Sequence, residues 1–383
     1  MSARSIRGGL VTALIAAGVM GLGIGIAADW PGGSQTGVAT AAPQLHVSGN
    51  QLVNAAGQRV VLYGVNRSGG EYSCVKGNGV WDGPMDQAAV AAIKSWHVDA
   101  VRVPLNEACW NGQRYVNPAD AGQNYQQAVA AYVRLLNQNG LVAILDLQWS
   151  DGAYTGPAGS CRSVKALCEK AMPDQAQAIP FWTSVARTFA DHDAVIFDLF
   201  SEPFPEAADH GNETAAWRCW RDGGSACAEI TYPVAGMQSL VDAIRSTGAN
   251  NVLMLSGLDF ANDLTQWLAY EPADPDHNLV ASWHGYSFNS CRTESCWNNE
   301  VAPVMAKVPV IAAEIGDNTC SGGFLDTVMS WLDARASGYL AWAWNADFEC
   351  ASGPSLIKSY TGTPTVVGAA FRAHLTTEAE RSG

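Results

Sequence analysis

Eight short runs rich in apolar and β-branched residues recur along this chain, separated by longer stretches whose apolar residues fall three and four apart. The runs are Val60 to Val65, Ala100 to Pro104, Leu141 to Leu147, Val195 to Phe200, Asn251 to Ser256, Leu279 to Trp283, Val308 to Ala313 and Gly338 to Trp344. Helical spacing is clearest in Met85 to Trp96, Asn124 to Asn139, Ile179 to Asp191 and Pro233 to Ser246. Such alternation argues for parallel strands joined by crossover helices, and eight strands close a barrel. The expected fold class is α/β, a (β/α)8 TIM barrel. A short N-terminal hairpin precedes it, in the segment LHVSGNQLVNAAGQRVVLYGVN, where Gly49-Asn50 and Ala56-Gly57 interrupt the alternation. An open doubly wound sheet uses the same alternation, so the polar residues must separate the two folds.

In a parallel barrel the carboxyl ends of the strands converge on one mouth, and almost every run here ends in a hydrogen-bonding or ionisable group. Asn66 follows the first, Arg102 stands near the end of the second, and Gln148 and Trp149 follow the third. Glu202 follows the fourth, His284 and Tyr286 the sixth, Glu314 the seventh, and Trp344 with Asn345 closes the eighth. The fifth ends less informatively, in Ser256 and Gly257. Asp146 and Asp198 fall within strands and are assigned internal hydrogen bonding, while Asp317 and Asn318 are further candidates for the cleft wall.

Net charge bounds the partners. At −14, with charged residues only 15% of the chain, the molecule repels phosphate backbones and anionic membranes. No nucleic-acid partner is expected, no protein partner is indicated, and a neutral carbohydrate suits the surface. Residues 1–41 read as an export signal: Arg4 and Arg7, an uncharged apolar run from Gly8 to Ala28, and the small residues Ala39-Thr40-Ala41 at a cleavage site. The apolar run approaches the length that spans a bilayer, so an uncleaved anchor is the alternative, and only that alternative gives a membrane association. Residues 42–44 then form a linker, 45–375 the barrel, and 376–383 a tail. The expected location is secreted, extracellular or in the cell envelope.

Ten cysteines in an exported chain read as disulfides before metal ligands. Each falls after a strand, on the mouth side. Cys161 with Cys168, Cys219 with Cys227 and Cys291 with Cys296 are expected to bridge within single loops. Cys74 with Cys109, and Cys320 with Cys350, follow neighbouring strands and are expected to bridge adjacent loops.

Glu202 and Glu314, in VIFDLFSEP and VPVIAAEIGDN, each follow a run too apolar to be solvated. A carboxylate is costly to bury there unless hydrogen bonds or a cation hold it. Glycoside hydrolysis needs such a pair: one group protonates the leaving oxygen while the other meets the positive charge developing on the sugar. Fourteen Trp, among them Trp81, Trp110, Trp149, Trp220 and Trp297 in expected loops, suit the apolar faces of sugar rings. A metal-dependent hydrolase would need clustered His and Asp at the strand ends. Only His284 qualifies, so neither metal nor cofactor is expected.

The chain resembles glycoside hydrolase family 5, the cellulase-like branch of the retaining barrels, from Leu45 to about Asn345. GNQLVNAAGQRVVLYGVN, VRVP, LFSEP, His284-Gly285-Tyr286 and AEIG carry the likeness through their order and spacing. The resemblance implies Glu202 as general acid/base and Glu314 as nucleophile, with Arg102 supporting the nucleophile and Tyr286 hydrogen-bonding near it. It places His284 beside the acid/base and Trp344 as the aromatic floor under the reacting sugar, with Trp342 as the fallback of the same strand parity. Two positions depart from the family's pattern: Ser201 stands where it has Asn before the acid/base, and Gln148 where it typically has His. Both bear on substrate choice more than on reaction class. The expected function is double-displacement hydrolysis of O-glycosidic bonds in a neutral poly- or oligosaccharide. A non-catalytic glycan-binding barrel at the cell surface is the alternative.

Overall fold

A computed structural model describes residues 41–154, 156, 162–208, 211–350 and 353–382. The expected export segment, up to residue 40, lies outside the described residues. Among those described, no helix is long and apolar enough to cross a membrane.

The chain begins with an antiparallel hairpin, β1 (Leu45–Ser48) and β2 (Gln51–Asn54). Its tight turn starts at Gly49, whose φ of 60° favours glycine. The strands that follow are β3 (Tyr63–Asn66), β4 (Ala100–Asn106), β5 (Val142–Trp149), β6 (Val195–Asp198), β7 (Leu253–Ser256), β8 (Leu279–Tyr286), β9 (Val310–Gly316) and β10 (Gly338–Ala341). They pair in parallel and in chain order, and β10 closes on β3. The closed barrel, and not the open sheet, is the fold. A small antiparallel pair, β11 (Ile357–Ser359) and β12 (Thr363–Pro364), precedes the last helix.

The helices Gln87–Lys94, Gln123–Gln138, Gln175–Phe189 and Met237–Arg245 follow the first four barrel strands. Asp86 and Asp174 cap two of them by accepting from backbone N–H groups of the first turn. Between β7 and β8 the alternation fails. That connection holds only the short turns Leu258–Ala261 and Trp267–Ala269, because no run there has helical spacing long enough to cover a strand.

Two cores result. The larger lies between strands and helices. The smaller fills the barrel with Ala100, Val142, Ile144, Ile196, Met254 and Val280, and includes Leu45 and Leu52 of the hairpin, which therefore caps the amino end of the barrel. Polar residues in strands are thereby left to the carboxyl end, where the loops diverge.

Candidate active site

Side chains two apart on a strand share a face, and here that face changes character from one end to the other. On β5 the inward series runs Val142, Ile144, Asp146, Gln148; on β4 Ala100 leads to Arg102, and on β6 Ile196 leads to Asp198. The apolar members fill the amino half. The polar members meet at the mouth.

Arg102 is the hub. Its Nε donates to Asp198 Oδ2 at 2.8 Å, one terminal nitrogen to Glu314 Oε1 at 2.7 Å and Asn66 Oδ1 at 3.0 Å, and the other to Ser201 Oγ at 3.0 Å. That second nitrogen also lies 3.0 Å from Asp146 Oδ1. One buried cation thus faces three carboxylates, a ratio that leaves negative charge in excess. Burial, opposed by Arg102, pushes Asp198 up to about 6 and Asp146 well above the usual carboxylate range.

Glu314 reaches this hub because β9 is irregular. Trp283 stands opposite Ala312, but His284 stands opposite Glu314 instead of Ala313. The extra residue turns Glu314 inward, as a bulge beside an active site can. Its second oxygen accepts a hydrogen bond from the Tyr286 hydroxyl. Glu202, at the end of the loop after β6, places Oε1 2.9 Å from His284 Nδ1, and the same nitrogen lies 3.6 Å from Glu314 Oε2. One oxygen of each glutamate and one ring nitrogen of His284 lie within 4.8 Å of one another. Three such atoms could hold a cation, but Arg102 and Tyr286 already engage both oxygens of Glu314.

The two glutamates sit in different electrostatic settings. Burial first, then the Glu314 carboxylate, raises Glu202 well above its ordinary value, with Arg102 opposing. Arg102 and Tyr286 instead donate two hydrogen bonds to Glu314, one to each carboxylate oxygen. Burial lowers His284 to about 4, so at neutral pH its ring is uncharged and its contact with Glu202 is a hydrogen bond.

A cleft of about 360 Å3 opens above these groups, lined by Gln148, Glu202, Tyr286, Glu314 and Asn318 together with Trp342, Phe260 and Phe288. Several expectations need correction. Trp344 is not the floor: it is fully buried, with its ring 4.8 Å from that of Trp96. The strand ends at Ala341, so two-residue parity does not extend through Trp344, and Trp342 lines the cleft in its place. Asn345 is also buried and donates to Ser68, Tyr72 and Asp82, which holds the loop after β3 and not a ligand. Ser201 is 1% exposed and is occupied by Arg102. Trp149 lies beside Tyr72, outside the cleft lining. The expected ring of loop tryptophans is likewise revised: Trp110, Trp220 and Trp297 are core residues and Trp81 packs on Tyr125 and Tyr132.

Asp317 is buried and organises the turn after β9 by accepting from Thr319, Gly322 and Phe324. Sequence reasoning missed Glu169, Phe260, Phe288 and Asn289, which all line the cleft. Phe260 gets there through an unusual backbone, since Asp259, Phe260 and Ala261 have φ of 50°, 57° and 62°. Such left-handed residues cost roughly 1 kcal/mol or more each and gather at functional sites. Asp146 and Asp198, expected to hydrogen-bond internally from their places within strands, are the buried partners of Arg102.

Disulfides secure the loops on this side. Cys74 is bonded to Cys109, Cys219 to Cys227, Cys291 to Cys296 and Cys320 to Cys350. Cys168 is also disulfide-bonded; its expected partner Cys161 lies outside the described residues.

Residues 53–348 match the model of the cellulase family, glycosyl hydrolase family 5. A mannan endo-1,4-beta-mannosidase of Streptomyces lividans is 24% identical over 90% of this chain and 76% of its own. A second, from Salipaludibacillus agaradhaerens, is 20% identical over 79% of this chain and 82% of its own. Among solved structures, a beta-glucanase of Saccharophagus degradans in complex with cellotetraose superposes with a TM-score of 0.67 at 17% identity, covering 91% of this chain and 98% of that one.

Proposed function

Because the chain belongs to glycosyl hydrolase family 5, we propose that this glycoside hydrolase works with retention of anomeric configuration on a β-1,4-linked hexose polysaccharide or its oligosaccharides. The observation that carries the reading is the approach of Glu202 and Glu314, whose nearest carboxylate oxygens lie within 4.8 Å at the barrel mouth. Retaining enzymes hold their carboxyl groups roughly 5 to 5.5 Å apart, whereas inverting enzymes leave about 6.5 to 9.5 Å for a water.

In the first step Glu314 Oε attacks the anomeric carbon while Glu202 gives its proton to the departing glycosidic oxygen. The C–O bond to the leaving sugar breaks and an ester to Glu314 forms. Water then attacks the same carbon, Glu202 takes its proton, and the ester bond breaks to restore Glu314. The burial that raises Glu202 keeps it protonated for the first step. The Arg102 and Tyr286 hydrogen bonds hold the Glu314 carboxylate oriented for attack. His284, uncharged, positions Glu202 through a hydrogen bond at its Nδ1.

Mannan is the first substrate to try, since the two relatives above are mannan endo-mannosidases. Export is part of the proposal: an amino-terminal basic and apolar segment precedes a domain with several disulfides. A glycan-binding barrel without activity would have no use for two facing glutamates, one raised by burial and the other held by Arg102 and Tyr286. Incubation with a 2-fluoro aryl β-glycoside should add one sugar mass at Glu314, and proton NMR should show β-product first. An inverted first product, or no adduct with the fluorinated glycosides of mannose, glucose and glucosamine, would sink the reading.

A further inference from the structure

The cleft contains a carboxylate that the double displacement does not use. Glu169 lines the same wall as Gln148, Glu202 and Glu314. It comes from the loop after β5, and the stretch on either side of it, residues 166–171, is anchored. The adjacent Cys168 is disulfide-bonded, Ala166 N donates to Asp151 Oδ1 at 2.8 Å, and Ala171 O accepts from Phe204 N at 2.9 Å.

Two glutamates suffice for a neutral sugar, so a third needs an explanation. Among the described residues lining the cleft there is no Lys or Arg, and residues 157–161 carry no charge in the sequence. Arg102 is the cation that opposes the rise of the Glu169 carboxyl, and its nitrogens already serve Asp146, Asp198, Glu314, Asn66 and Ser201. A second feature points to a ligand at this wall. Gln148, only 4% exposed, gives Nε2 to Glu169 Oε1 at 3.3 Å, while its own Oε1 has no hydrogen-bond partner. A buried acceptor left unpaired is costly and is satisfied by a ligand that brings several donors to it. An ammonium brings three donors and a positive charge.

Resting on the glycosidase reading above, we propose that Glu169 and Gln148 form a recognition site for a cationic amino sugar, so that the preferred glycan carries free amino groups on its hexose units. Burial first, and then Glu202 and Glu314, push the Glu169 carboxyl up to about 8, so it is poised to ionise when a cation arrives. The net charge agrees: at −14 the protein attracts a polycationic glycan and gives a neutral one no such help. Ser201, turned toward Arg102, takes no part in the recognition.

The test compares three substrates of equal length: β-1,4-linked glucosamine oligomers, their N-acetylated forms and β-1,4-mannan oligomers. For the wild type, kcat/KM on the free amine should exceed that on the N-acetylated form by about 10-fold or more, the size of a charge-assisted hydrogen bond. Glu169→Gln should reduce that ratio by a similar factor. Gln imitates a protonated Glu169, so a preference that survives the substitution overturns the proposal. A wild type that cleaves mannan yet does not favour the amine over its acetylated form also overturns it, while leaving the glycosidase reading intact. If nothing is cleaved and no 2-fluoro adduct forms, the glycosidase reading fails first. The amine to N-acetyl ratio is then read from dissociation constants, where a lack of preference again overturns the proposal. Should Glu169→Gln fail to fold, the wild-type ratio decides alone.

Discussion

Arg102 and Arg245 are both buried guanidiniums surrounded by acceptors, yet they hold opposite ends of the barrel in opposite ways. Arg245 ends the helix before β7 and pairs with both oxygens of Asp274, at 2.8 and 3.0 Å, while its remaining nitrogen donates to Ala249 O and Asn251 O. One cation meets one buried carboxylate there, and the second, Asp276 at 3.2 Å, is exposed and screened by solvent. Despite burial, Asp274 is held below its ordinary value by hydrogen bonds from Arg245, Asn278 and Asp276. At the mouth one cation meets three carboxylates, and Asp146, Asp198 and Glu202 are all pushed upward. A balanced pair stabilises the fold; an unbalanced cluster stores protons. The second arrangement suits acid catalysis, and the described disulfides tie the loops at that same end.

The largest effect should come from removing the charge that makes the cluster unbalanced. Glu314→Gln should lower hydrolysis on the order of 10^3-fold or more, as loss of a nucleophile acting in a unit does. It should also bring Glu202 down toward its ordinary value, because Glu314 is the second cause of its rise after burial. Titration of Glu202 by carbon-13 NMR in wild type and variant reads this directly. An unchanged Glu202 would mean that burial alone sets the proton and that the comparison of the two ends is mistaken.

Removing the hub should come next. Arg102→Met strands Asp146, Asp198 and Glu314 in the barrel without their cation, a change that costs about 3 to 5 kcal/mol when a buried pair loses one partner. Urea denaturation at pH 7 should show this loss, and at pH 4 a smaller one, since the stranded carboxyls can then protonate. A loss that does not diminish at low pH would assign the effect to packing.

A covalent tie at the mouth should matter less. Replacing both Cys291 and Cys296 by Ser opens a loop of sequence separation 5 and should cost about 2 kcal/mol by chain entropy. The bond between Cys74 and Cys109, with separation 35, should be worth about 4 kcal/mol on the same scale. Thermal unfolding of the two double variants should rank them in that order.

What could be read from sequence followed from periodicity. The barrel, its strand positions and the inward parity of Arg102, Gln148 and His284 all rest on spacing in apolar runs. Spacing stops informing where a strand stops. Trp344 was misplaced because β10 ends at Ala341, and the turn of Glu314 toward Arg102 depends on a bulge that no pattern announces. Glu169 sits in a loop without periodicity, so only the fold brings it to the catalytic pair. The tryptophans misled for a different reason: an indole in a loop serves a core as readily as a cleft, and here most serve the core.

The smallest effect lies at the balanced end and is best seen through pH. Asp274→Asn keeps an oxygen for one Arg245 nitrogen and loses the charge, which should cost about 1 kcal/mol at pH 7. The sign of the pH dependence separates the two ends. Asp274 has a folded pKa below its unfolded value, so its contribution is present above about pH 4 and is lost as pH falls through the folded value. Asp198 is raised to about 6, so its contribution is present below about pH 4 and is lost as pH rises through about 6. Thermal unfolding of the wild type should therefore weaken on the acid side through the amino end and on the neutral side through the mouth. Asp274→Asn should flatten only the acid limb, bringing the variant toward the wild type as pH falls through the lowered folded value of Asp274. If the variant instead flattens the limb above pH 5, Asp274 is not the balanced partner its two hydrogen bonds to Arg245 make it, and the contrast between the ends of the barrel does not hold.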